Sequence, residues 1–283
     1  ADLPGLSVLI GGMWIMNLSY WGFNQYIIQR ALAAKNVPEA QKGIMFAAYL
    51  KMLMPVIVVL PGVAAVILAP ELETPDRAYP TVMNLLPAGI LGLVFAALIA
   101  AIVSSLASMM NSISTIFTMD IYRHLGKKDK SEQHLVRVGR TVSFSAMVIA
   151  MIVARPLLGQ FDQAFQYIQE FTGFFTPGVC ALFLMGIFWK QTTSLGALGM
   201  ALGSAALSIT LKLAWPELPF IDRVGLVFLA CIAIGVIVSK LQGAEVHPDA
   251  IAYEDVDTTT NSGYNIAALG IILMLAALYA TWW

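Results

Sequence analysis

The sequence predicts an all-α protein whose surface lies mostly in a lipid bilayer. Hydrophobic residues make up 59% of the 283 residues and charged residues only 12%, and the mean hydropathy is +0.78. A soluble domain usually carries about 25% charged residues. The chain also contains long apolar runs, and a helix of roughly 20 apolar residues spans the hydrocarbon layer of a bilayer. Together these observations indicate an integral membrane protein with several spans.

Eight apolar segments are long enough to be spans. They cover residues 6–33, 43–69, 86–121, 136–158, 161–189, 195–214, 220–241 and 264–283. The third and the fifth segments are long enough to be tilted, broken or extended beyond the membrane. We therefore expect about eight transmembrane helices.

Lys and Arg residues predict which side each connection faces, because cytoplasmic loops carry an excess of them. If the chain starts outside, the inner connections hold eleven of these residues and the outer connections four, while Lys51 lies within a span. The four outer residues are Arg77, Arg155, Lys212 and Arg223. The basic loop 123–140 and the acidic linker 242–263 are therefore predicted to be cytoplasmic.

Several function classes find no support in the sequence. The net charge of −1 gives no electrostatic basis for binding nucleic acid. Cys180 and Cys231 lie in apolar runs and fit no disulfide or metal-binding pattern. The HExxH, GxSxG and Walker A motifs are absent from the sequence. We therefore expect no enzymatic activity and no enzymatic cofactor.

The first span carries many polar side chains. The stretch "MNLSYWGFNQ" (16–25) places six polar or amphipathic side chains within nine positions. Nearby glycines weaken the helix, and a broken helix is tolerated in a membrane where it lines a cavity. Tyr20 and Trp21 offer flat faces that suit a sugar ring or a cation. The alternative interpretation is a set of interhelical hydrogen bonds with an aromatic belt at the interface.

Lys51 lies within the second span, and two interpretations of it stay open. Its stem is long enough to carry the ammonium group back to the membrane interface. Alternatively, the ammonium group lies in a cavity and donates three hydrogen bonds to hydroxyl or carboxylate oxygens. Pro55 and Pro61 predict a kink in the same helix.

Small residues form one face of the third span, in "FAALIAAIVSSLASMMNS" (95–112). Offsets of three and four place Ala101, Ser104 and Ser105 on the same side of the helix. Two hydroxyls and a backbone carbonyl are hard oxygen donors of the kind that Na⁺ needs, although they do not complete a coordination shell alone. The competing interpretation is close helix packing, with each hydroxyl bonded to the preceding turn.

The fifth span is interrupted in "QYIQEFTGFFTPG" (166–178). Gln166, Gln169 and Glu170 precede a run of Thr, Gly and Pro residues that disfavours a continuous helix. An amide and a carboxylate beside a helix break in a membrane indicate the lining of a cavity. A simple loop between two short helices is the alternative.

Five motifs resemble the sodium/solute symporter family. They are "NLSYWGFNQYIIQRALAAKN" (17–36), "AYLKMLMPVIVVLPG" (48–62), "AAIVSSLASMMNSISTIFTMDIY" (100–122), "VGRT" (138–141) and "FQYIQEFTGFFTPG" (165–178). They are most similar to its sodium–sugar cotransporter branch, of the bacterial sodium/galactose type. The resemblance covers essentially the whole chain. It implies a leucine-transporter-type fold, in which two inverted repeats of five helices surround a site at broken helices.

The resemblance also implies how the chain is organised. Residues 1–190 resemble the second inverted repeat (core helices six to ten), and residues 191–283 resemble three peripheral helices that follow it. The first repeat, which supplies other ligands for sugar and sodium, has no counterpart here. The chain also starts with Ala1 rather than Met. We therefore expect it to be the C-terminal part of a transporter.

Individual residues take their expected roles from the resemblance. Five residues match sugar-binding positions: Asn17, Tyr20, Trp21, Lys51 and Gln169. Tyr20 also matches the aromatic gate that closes the inner exit. Three residues match one half of a sodium site: Ala101 through its carbonyl, and Ser104 and Ser105 through their hydroxyls.

The expected function is therefore sodium-coupled secondary active transport of a galactose- or glucose-like sugar by alternating access. Na⁺ is the expected coupling ion and the inner cell membrane the expected location. One alternative is a symporter of the same fold for an amino acid or a carboxylate, which Lys51 would also suit. A second alternative is a membrane sensor that binds a ligand without moving it.

Overall fold

The computed structural model describes residues 5–72, 74–125, 131–158, 164–243, 245–246, 250 and 258–282. These residues form helices and connecting turns, with no strand among them. The helices are α1 (Leu6–Phe23), α2 (Gln25–Leu32), α3 (Val37–Leu68), α4 (Ala78–Met83), α5 (Ala88–Leu125), α6 (Glu132–Leu158), α7 (Ala164–Gly173), α8 (Thr176–Phe188), α9 (Ser194–Ala214), α10 (Phe220–Leu241) and α11 (Ser262–Trp282). The predicted all-α architecture is confirmed over the described residues.

Seven of these helices are long and apolar enough to cross a membrane, namely α1, α3, α5, α6, α9, α10 and α11. Helices α7 and α8 pass the same test together, and they are bent by 47° at the break between them. The described residues therefore contain seven candidate spans, or eight if the bent pair is one span. The chain is a multi-pass membrane protein.

Two helix boundaries differ from the expected ones. The first predicted span, 6–33, is divided at Asn24, whose extended backbone separates α1 from α2. Helix α3 begins at Val37 rather than near residue 43, because Asn36 caps it by accepting a hydrogen bond from the Glu39 N–H at 3.0 Å. The apolar pattern located the membrane part of α3, whereas its polar first turn depends on the cap.

The predicted cytoplasmic loop 123–140 is shorter than expected. Helix α5 continues to Leu125, and α6 begins at Glu132, because charged residues extend a helix as readily as apolar ones do. Residues 126–130 lie outside the described residues. The same holds for most of the linker 242–263, although Gly243 is described and ends α10 with a positive φ of 67°.

One compact unit comprises residues 1–28 and 165–262. Its core lies among α1, α8, α9 and α10, and contains the fully buried Ile15, Cys180, Met200 and Cys231. A Cβ atom on Gly12 would overlap the backbone carbonyl oxygen of Ile221. Helix α1 therefore packs backbone to backbone on α10, as small residues permit in membrane helices.

The other compact unit comprises residues 29–164 and 263–283. Within it α5 packs on α6, where a Cβ atom on Gly139 would lie 2.6 Å from Ser114 Oγ. Helix α11 is bonded to α3, because the Tyr49 hydroxyl donates to the carbonyl oxygen of Ala267 at 2.9 Å. The predicted division at residue 190 follows the repeat pattern rather than compactness, and it stays a prediction.

Candidate functional site

The last turns of α1 carry three of the predicted sugar-binding residues. Tyr20 and Trp21 follow Asn17 at offsets of three and four, which places all three on one side of the helix, and all three are exposed. The turn Ser19–Phe23 is π-helical, and the backbone of Asn24 (φ −84°, ψ 115°) then ends the helix. Such π-turns occur frequently at functional sites.

Hydrogen bonds and ring contacts position these side chains. The Asn17 amide nitrogen donates to the carbonyl oxygen of Met13 at 2.9 Å. The Trp21 ring packs edge-on against Tyr20, with ring centroids 5.2 Å apart. The Tyr26 hydroxyl, on α2, donates to the Tyr20 hydroxyl at 2.7 Å. The sequence did not single out Tyr26, because its closeness to Tyr20 depends on the break at Asn24.

The break between α7 and α8 follows Gln169, another predicted sugar-binding residue. Gln169 is half-buried, and no other described residue bonds to its side-chain amide. The Ser204 hydroxyl, on α9, spans the break: it donates to the Phe174 carbonyl oxygen at 2.8 Å and accepts from the Gly178 N–H at 3.0 Å. One hydroxyl therefore satisfies a donor and an acceptor that the broken helix leaves unpaired.

Replacing Ser204 by alanine is expected to lower the free energy of unfolding by about 1–3 kcal/mol, because the buried Gly178 N–H loses its partner and the Phe174 carbonyl oxygen keeps only the 3.5 Å bond from Ser208. The midpoint of thermal unfolding of the purified protein in detergent measures this loss. Thr210→Ala on the same helix is the matched control, since the Thr210 hydroxyl bonds to the Ala206 carbonyl oxygen at 2.8 Å and is exposed. Equal midpoints for the two variants would contradict the role of Ser204.

Glu170, beside Gln169, belongs to an ion cluster. Its Oε1 accepts from Lys212 Nζ at 2.8 Å and from Arg223 Nη2 at 2.9 Å. Both cations also lie over the Phe174 ring, 5.6 and 5.5 Å from its centroid. Lys212 and Arg223 were predicted in outer connections. Lys212 lies in the last turn of α9, and Arg223 lies near the start of α10, the next helix along the chain. The carboxylate expected to line a cavity is thus neutralised by two basic residues.

Lys51 ends the regular part of α3, and its side chain is exposed. The α-helical pattern stops after it, with a turn at Met52 and Leu53 followed by a π-helical turn over Pro55–Val59. Pro55 has no N–H to donate to the preceding turn, which accounts for the interruption.

Helix α5 carries the three residues of the predicted sodium half-site. Ala101, Ser104 and Ser105 are all exposed. The hydroxyls of Ser104 and Ser105 have no hydrogen-bond partner among the described residues, whereas those of Ser108 and Thr115 bond to carbonyl oxygens one turn earlier, at 3.1 and 2.8 Å. The adjacent serine hydroxyls are therefore available as oxygen ligands.

The predicted site residues divide between the two compact units. Asn17, Tyr20, Trp21 and Gln169 belong to one unit, and Lys51 and the three α5 residues belong to the other. A groove of about 450 Å³ lies beside α1 and α10, and another of about 830 Å³ lies between α5 and α6. None of the predicted site residues lines either groove, so a single shared site stays a prediction.

Helix breaks beside polar side chains, within a set of membrane-length helices, are features of multi-pass membrane transport proteins. The sequence pattern that defines the sodium:solute symporter family matches residues 1–203. The chain belongs to this family, and the resemblance found in its motifs is confirmed.

Curated relatives agree with this assignment. The "Sodium/glucose cotransporter" of Vibrio parahaemolyticus is 47% identical over 300 aligned residues, which cover 100% of this chain and 55% of the relative. The "Sodium/myo-inositol cotransporter 2" of Mus musculus is 40% identical over 77% of this chain and 36% of its own length. The "Uncharacterized symporter YidK" of Escherichia coli K12 is 33% identical over 95% of this chain and 48% of its own length. The chain thus spans about half the length of these relatives, or less.

Proposed function

We propose that this chain forms the C-terminal part of a transporter that couples the inward movement of Na⁺ to the uptake of a glucose- or galactose-like sugar. The observation that carries the proposal is the 47% identity to the Vibrio sodium/glucose cotransporter over the full length of this chain. The relative named for myo-inositol points to the same chemistry, because myo-inositol is also an uncharged ring bearing hydroxyl groups. A hydroxyl-rich substrate is therefore favoured over an amino acid or a carboxylate.

In the proposed sugar site, Asn17, Lys51 and Gln169 bond to sugar hydroxyls, and Tyr20 stacks on the apolar face of the ring with Trp21 beside it. Amides and an ammonium group suit hydroxyls because they supply several donors and acceptors at once. The side-chain amide of Gln169, which has no partner among the described residues, and the exposed rings of Tyr20 and Trp21 support these roles.

In the proposed sodium site, the Ala101 carbonyl and the hydroxyls of Ser104 and Ser105 supply half of the ligands. The other half comes from a first repeat outside this chain. These two hydroxyls have no hydrogen-bond partner among the described residues, which supports this role, because a polar group in hydrocarbon needs a partner or a ligand.

The proposed architecture is the second inverted repeat of a leucine-transporter-type fold over residues 1–190, followed by three peripheral helices over residues 191–283. The break at Asn24 and the bent α7–α8 pair support it, since transporters of this type bind substrate at broken helices. We place the protein in the inner cell membrane, with the loop 123–140 and the linker 242–263 in the cytoplasm, from the distribution of Lys and Arg.

Transport proceeds by alternating access without a covalent step. Na⁺ stabilises an outward-open arrangement in which the sugar site is ordered, and bound sugar then closes the outer path. Release of Na⁺ into a low-sodium cytoplasm frees the gate at Tyr20. The coupling is reciprocal, so Na⁺ tightens sugar binding by the same factor by which sugar tightens Na⁺ binding.

Flux measurements on the full-length transporter in proteoliposomes test this function. An inward sodium gradient is expected to drive glucose above its outside concentration, while a potassium gradient is not, and excess galactose is expected to compete. Competition by proline or a carboxylate instead of sugars would overturn the substrate class. Sugar binding without flux would overturn transport in favour of a sensor.

Replacing Ser105 by alanine is expected to raise the Na⁺ concentration for half-maximal uptake about tenfold, the effect of losing one ligand bond of about 1.4 kcal/mol. Thr115→Ala on the same helix is the matched control, because the Thr115 hydroxyl already bonds to its own helix at 2.8 Å. Unchanged sodium activation in Ser105→Ala would remove Ser105 from the sodium site.

A further inference from the structure

The short helix α2 makes a side-chain hydrogen bond near each of its two ends. Near its start, the Tyr26 hydroxyl donates to the Tyr20 hydroxyl at 2.7 Å. Near its end, Arg30 Nη2 donates to Ser108 Oγ of α5 at 2.8 Å. Tyr26 and Arg30 are four positions apart, which places them on the same side of α2. One helix of eight residues (Gln25–Leu32) thus carries both contacts.

The contact at Ser108 continues to the proposed sodium ligands. Ser108 Oγ donates to the carbonyl oxygen of Ser104 at 3.1 Å. Ser108 also follows Ala101, Ser104 and Ser105 at offsets of seven, four and three, so it lies one helical turn further along the same face. Because the donor to Ser108 is a charged guanidinium group, this bond is stronger than one between neutral groups.

A second bond holds the same part of α2 on the same helix. Asn111 Nδ2 donates to the side-chain oxygen of Gln29 at 3.4 Å. Gln29 precedes Arg30, and Asn111 lies three positions after Ser108, so the two bonds run side by side. The two bonds together fix both the distance between the end of α2 and α5 and the position of that end along the α5 axis.

We propose that α2 couples the two sites: Arg30 and Ser108 link it to the sodium face of α5, and Tyr26 links it to the gate at Tyr20. The three are positioning residues, since none is a proposed ligand of sodium or sugar. Bound Na⁺ fixes the α5 turn that holds Arg30, and α2 then holds Tyr20 through Tyr26. Loss of Na⁺ loosens that turn and releases the gate. This inference rests on the proposed sodium–sugar symport.

The test measures the coupling ratio, defined as the Kd for D-glucose in choline buffer divided by the Kd at saturating Na⁺, on the purified full-length transporter. Such ratios are typically about 5–150-fold. Ser108→Ala, Arg30→Met and Tyr26→Phe are each expected to lower the ratio at least about threefold. The Kd for D-glucose at saturating Na⁺ is expected to change little, because none of these substitutions removes a side chain that is proposed to bind sugar or sodium.

Three variants separate coupling from general damage. Ser108→Thr keeps the hydroxyl and is expected to keep the ratio. Thr115→Ala removes a hydroxyl whose hydrogen bond among the described residues is to its own helix, and it is expected to leave the ratio unchanged. Combining Ser108→Ala with Arg30→Met is expected to lower the ratio no further than either change alone, because both remove the same bond. Tyr26→Phe removes a single oxygen atom, so it tests the proposal even if Arg30→Met fails to fold.

The outcomes distinguish this inference from the proposed function. A wild-type ratio well above one, together with unchanged ratios in Ser108→Ala and Tyr26→Phe, overturns the coupling role of α2 and leaves the symport proposal in place. Additive effects of Arg30→Met and Ser108→Ala also overturn it. A wild-type ratio of one overturns sodium–sugar coupling itself, and the role of α2 with it.

Discussion

Replacing Gly12 by alanine is expected to lower the free energy of unfolding by about 3 kcal/mol or more, at the upper end of the range for overpacked interiors. The added Cβ atom would overlap the Ile221 carbonyl oxygen and lie 2.8 Å from its carbonyl carbon. Backbone atoms of a helix do not rotate away as a flexible side chain does. Helix α1 would therefore have to move off α10, and contacts along both helices would be lost.

Gly11→Ala is the matched control, because the nearest atom to its added Cβ is Asp222 Oδ1 at 3.9 Å. Both substitutions gain helix propensity by about 1 kcal/mol, so the difference between them reports the packing alone. Thermal unfolding can be followed with a thiol-reactive dye, since Cys180 and Cys231 are buried in the same unit. Similar midpoints for the two variants would show that α1 does not pack this closely on α10.

The membrane-length helices were predictable because bilayer thickness fixes how long an apolar run must be. The predicted spans 195–214 and 220–241 agree closely with α9 (Ser194–Ala214) and α10 (Phe220–Leu241). The sequence indicated a weakened helix in the polar stretch 16–25 but did not place the break at Asn24, because the polar Asn24 and Gln25 are also compatible with a continuous helix. A single residue with extended backbone leaves no signal in a hydropathy pattern.

The polar residues that need partners were predictable, but the partners themselves were not. Gln169 and Glu170 stand out in an apolar span, whereas the basic residues that bond to Glu170 lie more than forty positions later in the chain. Ser204 resembles any small residue of a packed helix until the Phe174 carbonyl, freed by the break, is seen beside it. Contacts between distant segments depend on how the helices pack. The spacing of residues in a single sequence does not reveal that packing.

Replacing Glu170 by glutamine is expected to lower the free energy of unfolding by about 3–5 kcal/mol, because it leaves a buried cation without its counter-ion. Arg223 is only 5% exposed, and its Nη2 bonds to Glu170 Oε1 at 2.9 Å. The Phe174 ring remains over the guanidinium group. A cation–π contact of about 0.5–2 kcal/mol is too weak to replace the lost charge pair.

Lys212→Met is the matched control, because Lys212 bonds to the same carboxylate oxygen but its side chain is 49% exposed. A half-exposed ion pair is expected to contribute about 1 kcal/mol or less. Combining Glu170→Gln with Arg223→Met is expected to recover much of the lost stability, since replacing both members of a buried pair costs less than removing one. If Glu170→Gln and Lys212→Met shift the unfolding midpoint equally, the burial of Arg223 makes no difference, and the cluster behaves as an ordinary surface ion pair.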